Sequence, residues 1–184
     1  DQRALAALAR HAGMLWPDFA ARIARNGGGG IEFSDEGAIV IATDINAEQG
    51  RETMKSLGPC AQFVEHEVSS EASWSEVEQL AGGQFGGADI LVNNAAIMIP
   101  GSIEDLSLDV WRRIQSVNAD GVFLGCRAGV RLMKSRGGSI VNIASVASHS
   151  GEAYAAAYSA SKGAVRALTK SVAVYCQQAG YNIR

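Results

Sequence analysis

"ADILVNNAA", residues 88 to 96, joins an Ile/Val-rich run to two amides and two alanines. The run "ADILVN" (88–93) is short, and its apolar residues are consecutive rather than alternating. That pattern suits a parallel strand covered on both faces. "AIVIAT" (38–43) and "GSIVNIAS" (138–145) read the same way, and "AQFVEHEV" (61–68) is a weaker fourth. Between the runs the spacing turns helical. Residues 46–57 follow Asn46 as a cap, and 71–82 carry Trp74, Val77 and Leu80. Residues 107–134 carry Trp111, Ile114 and Val117, and 155–178 carry Val165, Leu168 and Val172 on one face. Strand and helix in alternation predict an α/β fold, a doubly wound parallel sheet with helices on both faces.

The totals agree with one globular unit. At 184 residues the chain is long enough to bury a real core. With 47% apolar and 19% charged residues it is not a disordered segment. A net charge of −3 gives no reason to expect nucleic acid or an anionic membrane as partner. No apolar run approaches the ~20 residues that span a bilayer, and Arg10, Asp18 and Arg22 interrupt any signal-peptide core in residues 1–25. Cys60, Cys126 and Cys176 are odd in number and lack metal-ligand spacing, so they read as buried free thiols in a reducing cytoplasm. His11, His66 and His149 are scattered as well. In "EHE" (65–67) neighbouring strand residues point to opposite faces, which leaves no metal site.

In such sheets ligands bind beyond the carboxyl ends of the strands. Asp44 follows the first clear run. A carboxylate there can accept hydrogen bonds from both adenosine ribose hydroxyls and would repel a 2′-phosphate, which favours NAD over NADP. Glu67 and Val68 follow the second run, placed to flank an adenine. After the third come Asn93 and Asn94, then Ala95 and Ala96, small enough for a cofactor to approach the backbone. Ser145 puts a hydroxyl at the tip of the fourth. Four strand ends in succession deliver suitable groups.

"LVNNAA", "SIVNIAS" and "YSASK" resemble the short-chain dehydrogenase/reductase family over about Glu36 to Arg184. Within it, "GCRAGVRLMKSRGGSIVNIASVAS" and "AAYSASKGAVRALTKSVAV" look most like bacterial hydroxysteroid and alicyclic-alcohol dehydrogenases. The resemblance implies a Rossmann-like fold, with the family's catalytic tyrosine and lysine falling on Tyr158 and Lys162. Its serine falls on Ser145, and its helix asparagine on Asn118 in "VNADGVF". Its NNAG motif falls on 93–96, where Ala96 replaces glycine and adds one methyl group at the cofactor's approach. Cofactor contacts are then expected from Asp44, Glu67, Val68, Asn94, Ala95, Tyr158 and Lys162, with no metal. The resemblance also implies a homotetramer built through helices 107–134 and 155–178.

The implied chemistry is hydride transfer between NAD(H) and a small secondary alcohol or ketone, steroid-like or alicyclic. A proton must leave or join the substrate oxygen, and an ordinary phenol releases its proton only near pH ~10. Lys162 lies one helical turn from Tyr158 on the same face, so its positive charge favours the phenolate. By resemblance it also bonds the nicotinamide ribose, Ser145 holds the substrate oxygen, and Asn118 holds a water linking Lys162 to solvent. Ser159, Ala160, Ser161 and Gly163 leave room for substrate and ribose, and Tyr154 reads as loop or pocket wall.

The family's TGxxxGxG turn should lie near residues 20–26, where the chain reads "AARIAR" and then Asn26. Gly27 to Gly30 stand too close to Asp44 for a helix and its exit turn, and read as a flexible loop. Residues 1–35 are therefore a divergent leader, and 36–184 a core that stops as "YNIR" (181–184) begins a sixth strand. A reading-frame slip upstream would produce so sharp an onset of family-like sequence. A sheet lacking its central strand and one flank should leave apolar faces bare. Two alternative functions are a catalytically inactive binding or assembly protein and a 3-oxoacyl-type ketoreductase. The latter would want a basic residue beside Asp44, where Ile45 stands.

Overall fold

A computed structural model describes residues 39–57 and 61–184, the side chains of 54–57 excepted. The leader 1–35, with His11 and Gly27 to Gly30, and Cys60 lie outside the described residues. In chain order come β1 (Val40–Asp44), α1 (Ala47–Leu57), β2 (Ala61–Glu65), α2 (Glu71–Phe85) and β3 (Ile90–Asn93). Then follow α3 (Leu108–Gln115), a π-helical turn (Ser116–Asp120), α4 (Gly121–Met133) and β4 (Ser139–Asn142). A 3-10 turn (Val146–Ser148) and α5 (Ala156–Gln178) complete the order. The molecule is an α/β protein consistent with an incomplete Rossmann-like sheet. All four expected strands form. The expected helix over 107–134 is instead two helices separated by the π turn.

The described residues fall into two compact units, 39–42 with 46–57 and 61–63, and 43–45 with 64–184. Strands β1 and β2 pair as a two-stranded sheet. Asn46 caps α1 as expected, its Oδ1 accepting from Gln49 N at 3.0 Å. Gly50 lies so close to the Phe63 ring that a Cβ there would overlap it.

In the second unit β3 and β4 run parallel, from Ile90 opposite Ser139 to Asn93 opposite Asn142. Residues 182–184 lie along β4 as well: Ile140 N donates to Arg184 O at 2.8 Å, and Gly138 bridges Ile183. Helix α2 begins at Ser70, whose Oγ accepts from Ser73 N at 3.3 Å, and ends at Gly86 in the left-handed region (φ 70°). Leu91 and Ile140 are register partners and turn inward together. Leu91 packs on Trp74, Val77, Leu124 and Ala128, while Ile140 packs on Val122, Cys126 and Val165. The opposite face of the same two strands carries Ile90 (69% exposed), Val92 (53%) and Val141 (45%). Covering on both faces was the expectation from the apolar runs; the described residues cover one. Among them, no helix is long and apolar enough to cross a membrane.

What lets helix α4 seat so closely is a stripe of glycines. Gly121, Gly125 and Gly129 recur every four residues, which places them on one helix face. A Cβ at Gly121 would stand 2.9 Å from a Val68 methyl, and one at Gly129 2.9 Å from both Leu91 and Ile140. At Gly125 it would overlap the Asn93 carboxamide. Each glycine costs about 0.5–1 kcal/mol of helix stability relative to alanine, which close packing offsets. Gly125→Val should therefore destabilise by about 1–3 kcal/mol through overpacking. Gly83→Ala on α2, where a Cβ meets nothing within 4 Å, should stabilise by about 0.5–1 kcal/mol. Urea titration followed by circular dichroism reads both, and equal effects at the two sites would contradict the packing.

His66 is the second unit's other structural commitment. It is 2% exposed, its ring meets Trp74 edge-on at 4.4 Å, and its Nδ1 lies 3.1 Å from Thr43 Oγ1. Trp74 is fixed in turn by donating Nε1–H to Val68 O at 2.8 Å. Nε2 of His66 has no protein partner. Burial lowers the imidazole pKa from its ordinary 6.5, against the opposing pull of Glu67 and Glu76. A folded state that takes its proton only at lower pH than the unfolded chain loses stability as pH falls below that ordinary value. The urea midpoint should consequently drop between pH 7.5 and 5 in the wild type, and less in His66→Phe. Parallel pH profiles for the two proteins would refute this.

Candidate active site

Tyr158 and Lys162 both lie in the first two turns of α5. These turns are rich in alanine and serine, residues that put little bulk between the helix and its neighbours. Lys162 is 2% exposed, whereas Tyr158 is half-buried. The ammonium stands 5.9 Å from the centroid of the Tyr158 ring, as their four-residue spacing leads one to expect. Its protein acceptor is the Ile143 carbonyl, at 2.6 Å. Burial pulls the Lys162 pKa below that of an ordinary lysine. An ammonium has three hydrogens, so two donors remain for a ligand.

Asn118 sits in the π turn and is fully buried. Its Oδ1 accepts from Ile97 N at 2.8 Å, and its Nδ2 donates to Ile97 O at 2.9 Å and to Ser161 Oγ at 3.0 Å. Both amide hydrogens are therefore committed to the protein, and any water held by Asn118 must use another atom. Ser161 in turn donates to Tyr158 O at 2.7 Å. The expectation that Ser161 leaves room for substrate is corrected here: it is fully buried and bonded on two sides. Ala160 is exposed and a Cβ on Gly163 would meet nothing within 4 Å, so the open space lies at those positions.

Ser145 follows β4 by three residues and opens the 3-10 turn, its Oγ accepting from Ala147 N at 3.2 Å. Its hydroxyl hydrogen stays available to a substrate oxygen. Only Ala144 separates Ser145 from Ile143, which receives Lys162. The loop after β3 returns to the start of α5, where Gly101 bridges Ala155 and Gly101 N donates to Tyr154 O at 3.0 Å. Tyr154 itself is exposed, as a loop or wall residue would be.

The residues expected to meet a dinucleotide lie at the ends of β1, β2 and β3. Asp44 ends β1 with its side chain exposed, and its carbonyl accepts from His66 N at 2.9 Å. The Glu67 carboxylate accepts from Ser69 N at 3.1 Å and from Ser69 Oγ at 2.8 Å, which ties it to its own turn. Val68 packs on Gly121. Asn94 and Ala95 are exposed in the loop beyond β3. Among the described residues no cluster of His, Cys, Asp or Glu could hold a metal. Glu65 and Glu67 are exposed while His66 is buried, so "EHE" divides into solvated and structural parts.

Sequence reasoning missed the supports of this site. Asn93 Nδ2 donates to Asn142 Oδ1 at 2.8 Å, and Asn142 Nδ2 donates to Thr169 Oγ1 on α5 at 3.0 Å. The available signal was an asparagine inside an apolar strand, because a polar side chain there needs a partner. Ser161 offered another, as a helical serine three residues after Tyr158 can bond back to that carbonyl.

A family model described as enoyl-(acyl carrier protein) reductase matches residues 28–184. The chain is 44% identical over 149 residues to the 3-beta-hydroxysteroid dehydrogenase of Comamonas testosteroni, covering 81% of this chain and 59% of that protein. It is 40% identical over 157 residues to the NADP-dependent (R)-specific alcohol dehydrogenase of Lentilactobacillus kefiri, with 83% and 62% covered. Against the trans-4-hydroxycyclohexanecarboxylate dehydrogenase of Sinomonas cyclohexanicum it is 39% identical over 157 residues, with 80% and 60% covered. The chain thus spans about three-fifths of the length of these curated relatives. A family match over residues 28–184, together with relatives 39–44% identical over about four-fifths of the chain, makes this chain a member of the short-chain dehydrogenase/reductase family.

Proposed function

We propose that residues 36–184 are the core of an oxidoreductase acting between NAD(H) and a small secondary alcohol or ketone, steroid-like or alicyclic. The observation that carries this reading is a nearly fully buried ammonium, Lys162, set 5.9 Å from the ring of a half-buried phenol, Tyr158. A buried charge costs several kcal/mol unless it is compensated. One carbonyl is little compensation, and a phenolate plus ribose hydroxyls would complete it. The residues present fit a dinucleotide: Asp44 supplies a carboxylate at a strand end and Lys162 has donors to spare.

In this reading Asp44 would accept from the adenosine ribose, Glu67 and Val68 would flank the adenine, and Asn94 and Ala95 would let the cofactor approach the backbone. Lys162 binds the nicotinamide ribose. The bound nicotinamide supplies hydride acceptance or donation at the carbinol carbon. Ser145 donates to the substrate oxygen and fixes it beside Tyr158. In the oxidative direction the Tyr158 oxygen takes the hydroxyl proton; in the reductive direction it returns one. Lys162 sets its ammonium 5.9 Å from the centre of the ring that carries this proton.

The preference for NAD rests on Asp44, which would repel a 2′-phosphate. The name of the Lentilactobacillus relative shows that the family accommodates the other cofactor too. A homotetramer through residues 107–134 and 155–178 fits the exposed Leu108, Phe123, Val174 and Tyr175 on those helices. The buried free thiols Cys126 and Cys176 suit a reducing cytoplasm.

Fluorescence titration with NADH and NADPH, followed by spectrophotometric assay of cyclohexanol and a hydroxysteroid with NAD, tests the reading. NADH should bind at least tenfold more tightly than NADPH, and Asp44→Ala should narrow that gap. Tyr158→Phe should leave NADH affinity within about threefold and cut turnover by about 10²–10⁴-fold, the usual worth of a general acid–base. Lys162→Met should weaken both binding and turnover. Because burial depresses the Lys162 pKa, NADH affinity should also decline with rising pH sooner than an exposed lysine would allow. Absence of NADH binding in the intact chain would count for an inactive relative, and preference for NADPH would count against Asp44's assigned part.

A further inference from the structure

We infer that Ser161 is a positioning residue, the joint through which the π turn of Asn118 fixes the orientation of Tyr158. This rests on the reading of Tyr158 as the proton-transferring group. A helical serine bonding back to the carbonyl three residues earlier is common and by itself says little. Two features make this one different. Ser161 is fully buried, so water cannot replace a lost partner. Its oxygen also accepts from Asn118 Nδ2 at 3.0 Å, on a separate element, while its hydrogen goes to Tyr158 O at 2.7 Å.

The chain of bonds therefore runs from the Ile97 backbone through Asn118 and Ser161 to the Tyr158 peptide. Gln115 adds a parallel tie one residue away, donating Nε2–H to Ala157 O at 2.9 Å. Lys162, the next residue, is held from the other side by Ile143 O. Helix α5 is thus gripped at 157, 158 and 162 by three different elements. The hydroxyl is the one link in this set that acts on the peptide carrying the phenol. Loss of it leaves Asn118 Nδ2–H without its second acceptor and leaves the first turn of α5 one restraint short.

The test uses the intact chain labelled with 3-fluorotyrosine. Its four tyrosines give four fluorine resonances, and Tyr158→Phe identifies one. Tyr175 and Tyr181, an edge-on pair at 6.2 Å at the far end of α5, are internal controls. Ser161→Ala should broaden or shift the Tyr158 resonance by more than its linewidth and leave those of Tyr175 and Tyr181 in place. Ser161→Thr keeps a hydroxyl that can bond the same carbonyl and should return the resonance toward its wild-type position. Ser161→Cys, near in volume but a poor hydrogen bonder, should behave as the alanine variant does and serves if that variant is unstable. An unmoved Tyr158 resonance would overturn the inference. So would equal movement of all the resonances, or unfolding of both variants, since either marks general core stability. Lys162→Met separates the two readings: a moved resonance there beside an unmoved one in Ser161→Ala leaves the phenol–ammonium pairing standing and removes only Ser161.

Discussion

The hydrogen bond from the Lys162 ammonium to the Ile143 carbonyl, 2.6 Å long and made by a lysine that is only 2% exposed, is the constraint on which the site depends. A charge in such a place is tolerated only where partners offset its lost hydration. The chain meets that demand by fastening α5 to the end of β4. Ile143 N donates to Asn93 O at 3.0 Å, so the carbonyl that receives the lysine belongs to a residue whose own N–H is already pinned to β3. Seven residues further along α5, about two helical turns, Thr169 receives Asn142. The helix and the strand pair are thus riveted twice, and the spacing between the rivets fixes where Tyr158 stands.

This arrangement requires close layering, and the glycine stripe of α4 supplies it. Gly125 leaves the space occupied by the Asn93 carboxamide, which then reaches Asn142. Cys126, the next residue, lies 3.4 Å from Asn142 Nδ2 and fills the remaining gap with a weak, soft partner. Polar groups under a helix would otherwise be left unsatisfied at a cost of about 1–3 kcal/mol each. The same residues that look like packing defects in a helix are what permit a polar seam beneath it.

Much of the architecture was legible because its signals are local. Short Ile/Val runs marked the strands, Asn46 marked a helix start, and the four-residue interval of Tyr158 and Lys162 put them on one face. What escaped notice depends on partners distant in sequence. Ser161 looked like a small residue clearing space, because nothing in "YSASK" indicates that Asn118 arrives beside it. His66 looked like one of three scattered histidines, because only the folded chain sets its ring against Trp74. Glu67 was read as an adenine neighbour from its strand-end position, whereas its carboxylate also serves Ser69 two residues on. Burial on both sides was inferred for strands whose apolar runs carry no label for which face is covered.

The π turn was invisible for a different reason: it changes phase without changing composition. Ordinary helical geometry advances about 100° per residue, and one extra residue in a turn rotates everything before it by that amount relative to everything after. Single π turns inside α-helices are rare and recur at functional sites. Here the turn spans Ser116–Asp120, between a helix that must bury Ile114 and one that must present its glycines. A single regular helix would have to satisfy both faces with one phase. Inserting the turn uncouples them and leaves Asn118 pointing between Ile97 and Ser161, where its amide closes three bonds. The irregularity therefore sits where two packing demands meet, and the polar side chain at its centre gives both helices a common anchor on the loop that follows β3.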